Sequence, residues 1–136
     1  MTKYYVGDIG YVASPSEWES YCYQVPIRQE LLRQSNEGVI EKEHYFNGDE
    51  SKVFYAFSTA VGDGTYIDNA GRRYSCDSGG LGCIDSRYIT DKAKLKEVIS
   101  KGLAHLIEME ELYPDRVDWR GGTIVFGDII IATGDL

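Results

Sequence analysis

Cys76-Asp77-Ser78-Gly79-Gly80-Leu81 places a hydroxyl in a turn rich in backbone amides. Acyl transfer needs both parts, an oxygen that attacks and N–H groups that hold the developing oxyanion. The proton acceptor is missing locally, because the two histidines, His44 and His105, both lie far from Ser78 in sequence. Nearby, Gly62-Asp63-Gly64-Thr65-Tyr66-Ile67-Asp68-Asn69 has the look of a calcium loop. Counted from Asp63, however, Thr65 and Ile67 occupy the third and fifth positions, where oxygen ligands belong, and Asp68 stands at the sixth, where Gly belongs.

The same stretch supplies a candidate small-molecule site made of Asp63, Tyr66, Arg73, Asp77 and Ser78. An arginine beside a Gly-rich turn binds phosphate through paired hydrogen bonds while a tyrosine stacks on a base. Arg72 and Arg73 are adjacent on an expected strand, so alternation sends them to opposite faces. No nucleophile and base pair is readable, so no catalytic residue is assigned. The segment around Ser78 resembles the nucleophile region of chymotrypsin-like serine proteases. That family's surrounding pattern is missing, with Cys76 where it has Gly, Leu81 where it has Pro, and a chain too short for two barrels.

Cys22, Cys76 and Cys83 cannot all pair within one chain, and Cys76 and Cys83 sit among β-forming neighbours, where a reduced thiol acts as a small hydrophobe. Their spacing, with no adjacent His, does not suit zinc, and no metal or other cofactor is implied.

These residues need a scaffold, and the hydrophobic pattern suggests one. Residues 4–12 read as a strand with a bulge or turn at Gly7-Asp8 and Gly10. Ser14-Pro15-Ser16-Glu17 is a helix start, followed by Trp18, Tyr21, Cys22 and Val25 at helical spacing. Pro26 ends that segment, and a short helical turn carrying Ile27, Leu31 and Leu32 runs to Gly38. From there the period is two. Residues 52–61 read as a central strand, 65–68 and 72–76 as a hairpin turning at Asn69-Ala70-Gly71, and 81–85 as the end of a meander. Thr90 caps a predicted helix over about 90–112, in which Leu95, Val98, Ile99, Leu103, Leu106 and Ile107 keep one phase and Gly102 lies on the apolar face. Residues 123–126 and 129–133 flank Gly127-Asp128 as a second hairpin. The fold class is α+β, a meander-like antiparallel sheet with one long amphipathic helix packed on it and a short N-terminal helical segment, in a single domain over 1–136.

Gly-Asp recurs at Gly7-Asp8, Gly48-Asp49, Gly62-Asp63, Gly127-Asp128 and Gly134-Asp135. Repeated turn chemistry explains such pairs, and convergence of the carboxylates at one sheet end is the sharper alternative. Eleven tyrosines allow two readings as well, an interface or a tyrosine-rich core with hydroxyls at its rim.

The 136 residues carry a formal charge of −8 and no dense Lys/Arg cluster, which argues against direct binding to nucleic acid. No run approaches the roughly 20 apolar residues that span a bilayer, and residues 1–5 lack a signal-peptide core, so a soluble cytoplasmic protein without a membrane partner is expected. Residues 103–136 hold Glu108, Glu110, Glu111, Asp115, Asp118, Asp128 and Asp135 against Arg116 and Arg120, a balance that steers association toward a basic partner surface. Apolar strands at 4–12 or 129–133 could extend a sheet across a homo-oligomer.

Tyr5-Val6-Gly7-Asp8, then Gly62-Asp63-Gly64-Thr65-Tyr66, then Asp77-Ser78-Gly79-Gly80-Leu81-Gly82 resemble a family of small uncharacterised phage and bacterial proteins. The resemblance implies a phage or mobile-element origin and brings no catalytic residues. It points to a non-catalytic binding protein, a counter-defence or host-takeover factor that occupies a host or defence protein with a basic surface. The alternative is a protein that sequesters or hydrolyses a nucleotide or other small molecule at the Gly/Asp-rich turns.

Overall fold

The computed structural model describes residues 1–13, 44–45, 53–113, 116–120 and 122–133. The expected helical segment between Ser14 and Gly38 lies outside the described residues. Strands dominate: β1 (Thr2–Gly7), β2 (His44–Tyr45), β3 (Val53–Ser58), β4 (Gly64–Ile67), β5 (Arg73–Cys76), β6 (Gly80–Asp85), β7 (His105–Met109), β8 (Val117–Arg120), β9 (Thr123–Phe126) and β10 (Ile129–Ala132). One α-helix, α1 (Lys92–Ser100), and two 3-10 turns, at Ile9–Tyr11 and Ser86–Tyr88, complete the described elements.

Five strands form an antiparallel sheet in the order β2-β3-β6-β1-β7. Alternation sorts its side chains between two layers. Tyr5 and Ile84, opposite each other across β1 and β6, join Ile9, Val12, Ile89, Ala104 and the α1 residues Leu95 and Val98 on one side. Tyr4, Val6, Tyr55, Phe57, Leu81, Cys83, Ile107 and Met109 face the other side. There they meet Tyr74 and Cys76 from the β4–β5 hairpin and Val117, Ile124, Phe126, Ile129 and Ile131 from the β8-β9-β10 meander. Phe57 and Phe126 stack with ring centroids 5.9 Å apart.

The helix is shorter than its apolar phase suggests. Gly102, at φ +70°, turns the chain out of α1: its amide donates to Ile99 O at 3.0 Å and the Leu103 amide to Val98 O at 3.2 Å. That pair of bonds is a Schellman termination, and a left-handed residue at this position favours glycine. Beyond it His105, Leu106, Ile107, Glu108 and Met109 alternate in burial as β7 and pair with β1. Leu106 and Ile107 fit both a helical and a strand period, and the Gly102 turn together with pairing to β1 places them in a strand. The cap is Asp91 rather than Thr90, with Asp91 Oδ1 accepting from the Lys94 amide at 2.9 Å.

Two further expectations change. The strand at 4–12 stops at Gly7, and β1 lies inside the sheet between β6 and β7, so it has no free edge. The expected meander over 53–85 is broken: β6 returns to pair with β3, while β4 and β5 form their own ribbon. Both hairpins form where the turn residues place them. The edge of β10 is occupied too, because Asp68 bridges to Ile131 and Asn69 brackets Ile130 through its amide (3.0 Å) and its Oδ1 (3.1 Å). No helix among the described residues is long and apolar enough to cross a membrane.

Candidate functional site

The loop after β5 is held by a residue from the other end of the sequence. Asp8 follows β1, caps the 3-10 turn by accepting from the Gly10 amide at 2.8 Å, and is 1 % exposed. Its Oδ2 accepts the backbone amides of Asp77 and Ser78, both at 2.8 Å, and its Oδ1 accepts the Ser78 hydroxyl at 2.6 Å. Four neutral donors therefore surround one buried carboxylate, which satisfies a group that is costly to bury without partners. Tyr5, fully buried beneath, donates its hydroxyl to Asp8 O at 2.7 Å and fixes the backbone there. Close packing sets the position of the following turn. Ile9 lies on Gly82 of β6 so tightly that a Cβ there would stand 2.4 Å from Ile9 Cγ1 and 2.8 Å from Tyr55 O.

This arrangement decides the chemistry of the Asp-Ser-Gly-Gly turn. The amides that would stabilise an oxyanion are engaged by a carboxylate of the same chain, and the Ser78 hydroxyl donates to that carboxylate. His105 serves elsewhere, with Nε2 2.9 Å from Arg73 O and its ring edge-on to Tyr74 at 5.2 Å. Tyr11 donates its hydroxyl to Asp77 Oδ2 and closes the outer side of the turn. Burial, and after it the Asp77 hydrogen bond and nearby carboxylates, push the Tyr11 hydroxyl well above its usual pKa, so it stays protonated. Cys76 packs beneath with Sγ 3.3 Å from Gly80 O, and burial, with the charge of Asp8 next, pushes its thiol to about 11.

The other residues of the expected ligand site are divided. Tyr66 turns onto the core and donates to Gly62 O at 2.7 Å, which closes the 59–66 turn with Thr59. Arg73 is exposed and stands opposite Ile67, on the face of the β4–β5 ribbon away from the Tyr66 and Tyr74 pair. Asp63 is exposed in the β3–β4 turn. Asp77 and Ser78 come together in the turn, and Asp63 precedes Gly64, which pairs with Cys76, so it stands near the same end of the ribbon. Among the described residues no group of three or more His, Cys, Asp or Glu is arranged to hold a metal ion; of the described Gly-Asp carboxylates, Asp8 and Asp63 both lie near Cys76 and Asp128 is apart from them at the β9–β10 turn. Asp8 is buried in its loop, whereas Asp128 is exposed against Arg116, 3.2 Å away.

The tyrosines among the described residues divide, with Tyr11, Tyr66 and Tyr88 half-buried and Tyr113 exposed. Tyr4, Tyr5, Tyr55 and Tyr74 are buried, and their hydroxyls serve the frame where partners are seen: Tyr4 accepts from the Leu112 amide at 2.8 Å, and Tyr74 donates to Asp68 Oδ2 at 2.7 Å. Asp68 also accepts from the amides of Ala70 (2.8 Å) and Arg72 (3.0 Å) and from the Arg72 guanidinium (3.0 Å). Burial opposes its ionisation, but these hydrogen bonds, that of Tyr74 first, outweigh it and hold the carboxyl below its usual pKa.

A second feature escaped the sequence reading. A groove of about 280 Å³ lies where the end of β7 meets the β9–β10 turn, lined by Met1, Glu108, Met109, Glu110, Leu112, Arg116, Gly127 and Asp128. Met109 and Leu112 are buried residues of the core, while Glu108, Glu110 and Asp128 are exposed. The lining thus carries three carboxylates and one guanidinium, and Lys3 of β1 stands across from Glu108. The acidic count of the last 34 residues pointed to such a surface, but not to the folding that brings residue 1 and residue 128 beside residues 108–112.

Fold and site define an antiparallel α+β protein with a self-occupied amide cradle and an acidic groove. No protein-family model, no curated protein and no solved structure matches the chain.

Proposed function

We propose that this chain is a non-catalytic acidic binding protein that acts by occupying a basic surface of a partner protein, in the manner of a phage counter-defence or host-takeover factor. The observation that supports this reading is the groove at the end of β7, whose lining combines exposed Glu108, Glu110 and Asp128 with buried Met109 and Leu112. An excess of carboxylates over Arg116 beside apolar contact area favours an amphipathic cationic partner, with steering from the charges and affinity from the buried contacts. The nucleotide reading draws less support, since Arg73 and Tyr66 lie on opposite faces of the ribbon and the amide cradle already holds Asp8.

The test is capture from a bacterial lysate by the tagged protein and by the Glu108→Lys/Glu110→Lys/Asp128→Lys variant. The wild type should retain a stoichiometric protein at about 0.05 M salt and release it near 0.5 M, as expected for exposed charges. The variant should retain none while still unfolding cooperatively, with only the small loss expected from the Arg116–Asp128 pair and from Lys3 opposite position 108. Equal capture by both proteins overturns the reading.

A further inference from the structure

We infer that the partner enters as an extended segment bearing Lys or Arg at alternate positions, which adds itself as a strand along the outer edge of β7. This rests on the acidic-groove reading and specifies its occupant. In the order β2-β3-β6-β1-β7 the last strand is terminal, and among the described residues β1 alone pairs with it. A terminal strand offers a row of backbone N–H and C=O groups, the template that strand addition uses.

The side chains decide which strand fits. Along β7 the residues Ile107 and Met109 point into the core, while Leu106, 36 % exposed, and Glu108 lie on the opposite face, with Glu110 continuing that alternation. A neighbouring strand has side chains at the same spacing, so cations two residues apart would stand beside Glu108 and Glu110, with the methylene stem of a third along Leu106. Past the end of β7 the groove accepts one more long cation, its methylene stem on Met109 and Leu112 and its head among the carboxylates. Arg116 already places its guanidinium on Asp128 at this rim. A second copy of the chain is disfavoured by the same charges, because pairing β7 with β7 would set Glu108 and Glu110 against their equals in a protein of formal charge −8.

The experiment uses the full chain and three synthetic peptides: alternating Lys and Val, the same sequence N-methylated on the amides of one edge, and alternating Glu and Val. The Lys peptide should bind with salt-sensitive affinity and slow hydrogen exchange at residues 105–109, the N-methylated peptide should bind at least about tenfold more weakly, and the Glu peptide should not bind. Equal binding of the N-methylated peptide, or no protection of residues 105–109, overturns strand addition and leaves the acidic groove standing. Undiminished binding of the Lys peptide to folded Glu108→Lys/Glu110→Lys protein overturns the role of the carboxylates themselves. Failure of the Lys peptide to bind the wild type also overturns strand addition, while capture from lysate judges the groove separately.

Discussion

The Asp8 carboxylate and Ser78 meet through three hydrogen bonds, counting the one to the neighbouring Asp77 amide, across about half the chain. They join the end of β1 to the loop between β5 and β6. The turn that looks most like a nucleophile segment is thereby a structural junction.

Asp8→Ala should cost about 3 kcal/mol of unfolding free energy, since it strands several donors around a buried site, while Ser78→Ala should cost about 1 kcal/mol. Urea unfolding checks both. A loss below 1 kcal/mol for Asp8→Ala would show that water replaces the carboxylate without penalty.

Acid should weaken the fold partly through Asp68. Its folded pKa lies below the unfolded one, so its contribution is complete above the usual carboxylate range and fades as pH falls through the depressed value. Asp85 shifts in the same direction, with burial opposing and the Arg87 hydrogen bonds prevailing. Urea midpoints measured downward from pH 6 should fall below about pH 4 in the wild type and less steeply in Asp68→Asn, which starts from a lower stability. Parallel curves would show that Asp68 carries no such linkage.

Cys76 and Cys83 should resist alkylation in the native protein. Burial raises both thiols, Cys76 to about 11, which leaves about one thiolate in a thousand at pH 8 before access is considered. Iodoacetamide followed by peptide mass analysis should find both unlabelled until denaturant is added. Rapid native labelling of Cys76 would mean that the junction above it opens readily.

Gly102→Ala separates the two readings of residues 101–112. At φ +70° the added Cβ should destabilise the protein by about 1 kcal/mol. In a continuous helix the same change would stabilise it by a similar amount, so the sign of the shift in melting temperature decides.

The sequence by itself determined the α+β class, both tight hairpins and, to within one residue of its cap, the start of α1, because each rests on local chemistry: turn residues with special φ and an alternating or helical apolar period. It also determined the formal charge of −8, since charge is additive along a chain. Tertiary structure decided the rest. Whether Leu106 and Ile107 belong to a helix or a strand depended on β1 offering an edge, and whether 53–85 ran as a meander depended on β3 and β6 finding each other across the intervening ribbon. The candidate ligand residues were divided by strand faces and register, which a linear motif does not encode. Asp8 was visible only as one of five Gly-Asp pairs, and its role arises from contacts about 70 residues away, where burial leaves its carboxylate and the Asp77 and Ser78 donors to satisfy one another.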